Sequence, residues 1–233
     1  MVTGKQKVTR KQLLREPDEF ITFTGRVIQY VREHERGVYI AGIVVLSVVI
    51  LLAAGKYYLV RTEKNAFAAY DAVQSRYAMG QMTGETEKGL TTVKSDLKKV
   101  LNDYPRTAAA KLASVTYGRV AAQNKDWDEA IKRYKRGMVD FSADPMVVNM
   151  IENDLAYAYE GKQDLATAAQ YFERVTAVKD SPFRQDALLG LGRVYGLLKD
   201  TQKSKKAYET LLSDYKDSNF APMAKEKLAQ LSG

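Results

Sequence analysis

The apolar positions of this chain fall into two regimes. Between Val38 and Gly55 they run together, and the stretch VYIAGIVVLSVVILLAAG holds 18 residues without a charge. At 1.5 Å per residue that is about 27 Å of helix, close to the roughly 30 Å of bilayer hydrocarbon. Tyr57, Tyr58, Leu59 and Val60 extend the run past Lys56, whose ammonium can snorkel to headgroups. Tyr39 at one end and Tyr57–Tyr58 at the other fit interfacial aromatic belts. A core helix of this length usually carries a polar face, whereas here only Ser47 interrupts. The pattern predicts a single membrane-spanning helix over 38–60, between a tail at 1–37 and a large region at 61–233. Ala53-Ala54-Gly55 offers the small residues of a signal-peptide cleavage site. The run is nevertheless longer than the about 7–15 residues of a signal-peptide core and has 37 residues before it, so an uncleaved anchor is expected.

Elsewhere the apolar residues recur at helical spacing. In the tail, Pro17 suits a first helical position, with Asp18 and Glu19 in the first turn. Phe20, Phe23, Val27, Ile28 and Val31 follow, opposite Arg26, Gln29, Arg32 and Arg36. This predicts an amphipathic helix stopped by Gly37 and lying on the inner membrane surface, or else a helix that continues into the span.

The region after the span repeats itself. Three segments align, from Lys111, Asn149 and Gln185. Each has a bulky residue followed by a small one: Tyr117-Gly118, Leu155-Ala156 and Leu191-Gly192. Leu155 follows Tyr117 by 38 residues, and Leu191 follows Leu155 by 36. A polar turn comes next, and then a small residue four before an aromatic: Ala130/Tyr134, Ala168/Phe172 and Ser204/Tyr208. Such spacing suits antiparallel helix pairs in which small residues let backbones approach and the aromatic fills the groove between them. Leu97, Val100 and Pro105 read as the end of a degenerate first repeat, with Asn65–Tyr77 as its partner helix and Ala78–Gly89 as a long loop. Phe220–Leu231 reads as a capping helix over the last apolar face.

This arrangement resembles the tetratricopeptide repeat, best matched at Leu191, Gly192, Tyr195 and Tyr208, with Ser204 where that repeat usually has Ala. The fold expected is all-α: a single transmembrane helix followed by an α-solenoid with a C-terminal cap. Its repeats are expected near 65–105, 111–144, 149–182 and 185–218, with the cap at 219–232.

Charge and composition narrow the function. The chain has 36 Lys+Arg against 28 Asp+Glu, spread out, with no basic run interleaved with aromatics, so nucleic-acid binding is not expected. The tail's eight basic residues place the N-terminus in the cytoplasm and the repeat region outside it. The chain has no cysteine, which excludes disulfides, thiolate metal sites and a Cys nucleophile. The only histidine, His34, sits among charges. No phosphate-binding loop, nucleophile elbow or metal motif is present. No enzyme activity, cofactor or metal is expected.

In the repeat class resembled, the concave face falls two residues before and two after the first member of each bulky-small pair. Here those positions are Val115 and Arg119, Asn153 and Tyr157, and Leu189 and Arg193. They are the expected partner-binding groove, with a cation–aromatic–cation run that suits an extended peptide through backbone carbonyls or a carboxylate. The alternative is that they are ordinary exposed residues of a scaffold. Tyr157 and Arg193 fall outside the packing positions and are expected to be removable without loss of the fold.

The whole arrangement is similar to the YfgM-type family, ancillary subunits of the bacterial Sec translocon, whose repeat domain opens with an Ala/Tyr-rich helix. Here that helix holds Ala66, Phe67, Ala68, Ala69, Tyr70 and Ala72. The resemblance implies a single-pass protein of the bacterial inner membrane with a periplasmic repeat domain. Its partners would be the translocon, chaperones or emerging client chains. The alternative function is a self-assembling scaffold, a homo-oligomer that organises an envelope complex.

Overall fold

The computed structural model describes residues 19–84 and 87–231, with side-chain surroundings from Phe23 onward except at Glu87 and Lys88. Pro17 and Asp18, expected in the first turn of the tail helix, lie outside the described residues. The chain divides into two compact units, Met1–Leu59 and Val60–Gly233.

In the first unit, α1 covers Glu19–Glu33, and α2, which covers Glu35–Thr83, begins. Gly37 does not stop a helix. The His34 amide donates to the Tyr30 carbonyl at 3.0 Å, and the Val38 amide donates to the His34 carbonyl at 3.0 Å. One glycine costs a helix only about 1 kcal/mol relative to Ala, too little to end it when both flanks are helical. Of the two readings of the tail, this bonding favours continuation. Tyr30 and His34 also stack one turn apart, with centroids 4.5 Å apart. The apolar part of α2 is long and hydrophobic enough to cross a membrane: its most apolar 18-residue window has mean hydropathy 2.7 and no buried residue. It is therefore not the core helix of this fold.

The second unit holds the end of α2 and eight further helices: α3 (Glu87–Asp103), α4 (Ala108–Gln123), α5 (Trp127–Asp140), α6 (Pro145–Gly161), α7 (Leu165–Ala177), α8 (Arg184–Leu197), α9 (Thr201–Asp214) and α10 (Ala221–Gln230). The helices α4/α5, α6/α7 and α8/α9 stack as pairs, with α10 over the last, and the end of α2 shares an apolar cluster with α3. No strand occurs among the described residues. The expected long loop at Ala78–Gly89 is mostly helix. The α2 helix runs on to Thr83, Gly84 turns the chain at φ +67°, and α3 resumes at Glu87. Gly80 and Gly89 are accommodated within helices because Tyr70, Val73, Val93 and Leu97 supply a shared apolar face on either side.

The small and aromatic positions pack as the spacing requires. A Cβ on Gly118 would meet the Tyr134 ring at 2.7 Å, and one on Gly192 would meet the Tyr208 ring at 2.5 Å. Both contacts lie within one helix pair. A Cβ on Gly190 would lie equally close, at 2.5 Å, to the Phe172 ring of the preceding pair. The departure at Ser204 has a structural reason: its buried hydroxyl donates to the Gly192 carbonyl at 2.7 Å and ties the two helices together.

The turn inside each of the last three pairs is the same. Lys125, Gln163 and Lys199 take left-handed conformations at φ 59°, 68° and 64°. The next amide reaches back to the first helix, Asp126 to Ala121 at 2.8 Å, Asp164 to Tyr159 at 2.9 Å and Asp200 to Tyr195 at 2.9 Å. Asp164 and Asp200 then cap the second helix through Thr167 and Lys203 amides. Left-handed backbone costs an L-residue about 1 kcal/mol relative to glycine. Gln163→Gly is therefore expected to raise the stability of the repeat domain by about 1 kcal/mol. Urea unfolding followed by circular dichroism reads this, and a lower midpoint would contradict it.

Candidate interaction face

The first helices α4, α6 and α8 carry a continuous polar network on one face. The Arg119 Nε donates to Asp154 at 2.9 Å. Asp154 sits next to Asn153, whose Nδ2 donates to Asp186 at 2.9 Å. Asp186 also accepts from the Tyr157 hydroxyl at 2.8 Å. Arg193 holds Glu160 in a two-pronged pair at 2.5 and 2.7 Å, and its guanidinium lies 5.6 Å from the Tyr157 ring centroid. Bidentate Arg–carboxylate contacts fix orientation as well as charge.

The structure brings Asn153, Tyr157 and Arg193 together and places Arg119 beside them. It does not place Val115 and Leu189 on an open face. Val115 is 4% exposed and Leu189 is 6% exposed. Val115 belongs to the core shared with Ile151 of the next pair, and Leu189 to the core shared with Ala224 of the cap. The position two residues before each pair points at the element stacked next along the solenoid, and stacking covers it. Stacking covers Asn153 as well: it is 7% exposed, and its Oδ1 has no hydrogen-bond partner among the described residues.

Tyr157 and Arg193 are not free of packing either. The Tyr157 ring meets Phe172 edge-on at 5.0 Å. Burial, reinforced by Asp186, pushes its phenol well above the ordinary range. The hydrogen bond to Glu160 raises the Arg193 guanidinium further still. Tyr77 of α2 lies at the Arg119 end, and burial raises its phenol against the pull of Arg119 and of hydrogen bonds to Gln123 and Gln81.

The acidic half of this network, Asp154, Glu160 and Asp186, went unread in the sequence. A signal existed. Asp154 follows Arg119 by 35 residues, and Arg193 follows Glu160 by 33. Opposite charges that recur at about one repeat less one helical turn mark contacts between neighbouring first helices. Asp154 carries a further mark: burial raises its carboxyl pKa despite Arg119. A raised carboxyl pKa favours the folded state at low pH and withdraws that support as pH rises through the folded-state value. Asp154→Asn, which cannot ionise, is expected to lack this part of the slope when stability is measured across acidic pH. An unchanged slope would count against a desolvated carboxylate there.

Among the described residues no group of His, Asp and Glu could hold a metal ion.

A comparison with curated protein sequences finds no match. Among solved structures, a tetratricopeptide repeat protein from Parabacteroides merdae superposes with TM-score 0.56 at 16% identity, covering 71% of this chain and 61% of that one. The chain thus spans about three fifths of that relative. PilF of Pseudomonas aeruginosa gives TM-score 0.55 at 19% identity, with 72% and 69% covered. A kinesin light chain from Podosopora anserina with nearly identical tetratricopeptide-like repeats gives 0.57 at 15%, with 70% and 83% covered. At these identities the likeness is one of fold. Folds of this kind are typically non-catalytic scaffolds that bind other proteins. The model of the tetratricopeptide repeat-like domain matches residues 30–233, and the chain belongs to that family.

Proposed function

We propose that this protein is a membrane-anchored scaffold, held by 38–60, whose repeat domain, 61–233, binds protein segments outside the cytoplasm. The observation that carries the reading is the shared polar face of α4, α6 and α8, with Arg119, Asn153, Tyr157 and Arg193 set in register by Asp154, Asp186 and Glu160. Fixed donors and acceptors on rigid helices suit an extended chain, whose peptide groups need partners and whose ordering is costly. The tail 1–37 lies in the cytoplasm, as the charge balance supports. The YfgM-type resemblance makes the translocon, periplasmic chaperones or emerging chains the partner class.

The test is photocrosslinking in intact bacterial membranes. A crosslinker at Arg119, on the network face, is expected to capture secretory chains or translocon components. The same group at Lys132, a 75% exposed side chain on a second helix, is expected not to. Equal capture at both sites would overturn the face assignment, and capture of only further copies of this chain would favour the self-assembling scaffold. Topology has its own check: a phosphatase that works only after export, fused after Gly233, is expected to be active. An inactive fusion at normal expression would reverse the orientation.

A further inference from the structure

We infer that a basic cleft at one end of the solenoid is a binding site for the phosphate headgroups of anionic phospholipids. This inference rests on reading 38–60 as a membrane span, and it is independent of the network face.

The cleft has a volume of about 450 Å³ and lies between the end of α3 and the end of α5, over the start of α4. Arg106, Lys111, Arg133 and Arg136 line it, with Asp140 as its single carboxylate. The charges do not cancel. Arg136 pairs with Asp140 at 3.0 Å, and Arg133 pairs with Glu129 at 2.7 Å. Lys111 reaches only the backbone carbonyl of Asp140, at 3.4 Å. Arg106 is exposed and has no ion-pair partner among the described residues. Two positive charges are left over in a polar concavity, where a phosphate monoanion or diester would meet guanidinium and ammonium donors together.

The position of the cleft selects the source of that phosphate. The amides of Ala108 and Ala109, at the start of α4, donate to the Glu63 carboxylate at 2.9 and 3.3 Å. Glu63 follows Val60, the last residue of the apolar run, by three residues. That is at most about 11 Å of chain in any conformation. Arg106 precedes Ala108 by two residues. A short tether of chain therefore links Arg106 to Val60, where headgroups lie if the run spans a bilayer. Each cation near an anionic leaflet is worth about five-fold in affinity.

The experiment uses the full chain in lipid nanodiscs, either of phosphatidylcholine alone or of phosphatidylcholine mixed with phosphatidylglycerol. Amide hydrogen exchange across 104–114 is expected to slow in the mixed discs by about five-fold or more. Arg106→Gln with Lys111→Gln is expected to abolish that protection. Lys203→Gln with Lys206→Gln removes as much charge at the opposite end of the helix pairs, since the start of α8 meets the end of α9 through Arg184 and Asp214, and is expected to leave it intact. Equal exchange in the two kinds of disc overturns the inference, as does equal loss in both double variants. Protection in phosphatidylcholine discs by free glycerol phosphate would assign the cleft to a soluble phosphate. Protection there by polyglutamate would assign it to an acidic protein. A chain that does not insert into either disc overturns the span reading and this inference with it, a result separate from insertion without protection.

Discussion

Gly192→Leu is expected to lower the stability of the repeat domain by about 3 kcal/mol or more, the upper end of what overpacking a filled core costs. Even the first added atom has no room. A Cβ at Gly192 would lie 2.5, 2.6 and 2.8 Å from three atoms of the Tyr208 ring. That ring is 3% exposed and packs in a core with Leu188, Leu211 and Ala224 of the cap. It cannot retreat without pushing the cap away. For a domain of this size the loss corresponds to a Tm lower by about 6–12 °C. Gly196, one turn later in the same helix, supplies the control. Its nearest neighbour would be the Ser204 hydroxyl at 3.5 Å, an ordinary contact. Gly196→Ala is expected to be neutral or to stabilise by up to about 1 kcal/mol, because alanine is the better helix former. Calorimetry on both variants reads the contrast in sign. Equal shifts would mean that close approach at Gly192 is not what sets the helix spacing.

The helix pairs were legible in the sequence because they are written in local spacing. A bulky-small pair, a polar turn and a small residue four before an aromatic each constrain neighbours only a few residues apart. The apolar run was legible for the same reason. What was misread depends on elements that stack later. Val115 and Leu189 occupy the same repeat position as Asn153, and all three were expected in a groove. The following pair covers Val115 and the cap covers Leu189, facts that no single repeat contains. Gly37 and the stretch from Ala78 were read as breaks because glycine is a poor helix former. Its cost of about 1 kcal/mol is small beside the helical residues on both sides of Gly37 and the apolar face of α2 from Ala66 to Val73. The polar network was half-read. Its cations and aromatic were visible as equivalent positions, but its carboxylates sit at other positions of the neighbouring helix and appear only when helices are paired.

That network leads to the second large effect. Asp186→Ala is expected to cost the repeat domain about 2–4 kcal/mol, the range for stranding donors that a charged acceptor had satisfied. The carboxylate accepts from Asn153 at 2.9 Å and from Tyr157 at 2.8 Å, and both donors belong to a different helix pair. Asn153 is buried, so its amide cannot turn to water instead. Asp186 also stands in the first turn of α8, where a negative charge stabilises a helix by about 0.3–1 kcal/mol. Asp186→Asn should cost less. The replacement amide keeps one oxygen for the Tyr157 hydroxyl. Its NH2 would face the Asn153 NH2, but Asn153 can turn its side-chain amide over, and its Oδ1 has no present partner to lose. Tyr157→Phe, which keeps the ring on Phe172, should remove about 1 kcal/mol, the net contribution of one hydrogen bond. The expected order of stability in urea is therefore wild type, then Asp186→Asn and Tyr157→Phe, then Asp186→Ala well below. If Asp186→Ala unfolds at the wild-type midpoint, the bonds to Asp186 add nothing to the hold of α8 on α6, and that part of the polar face is free to serve a partner without structural cost.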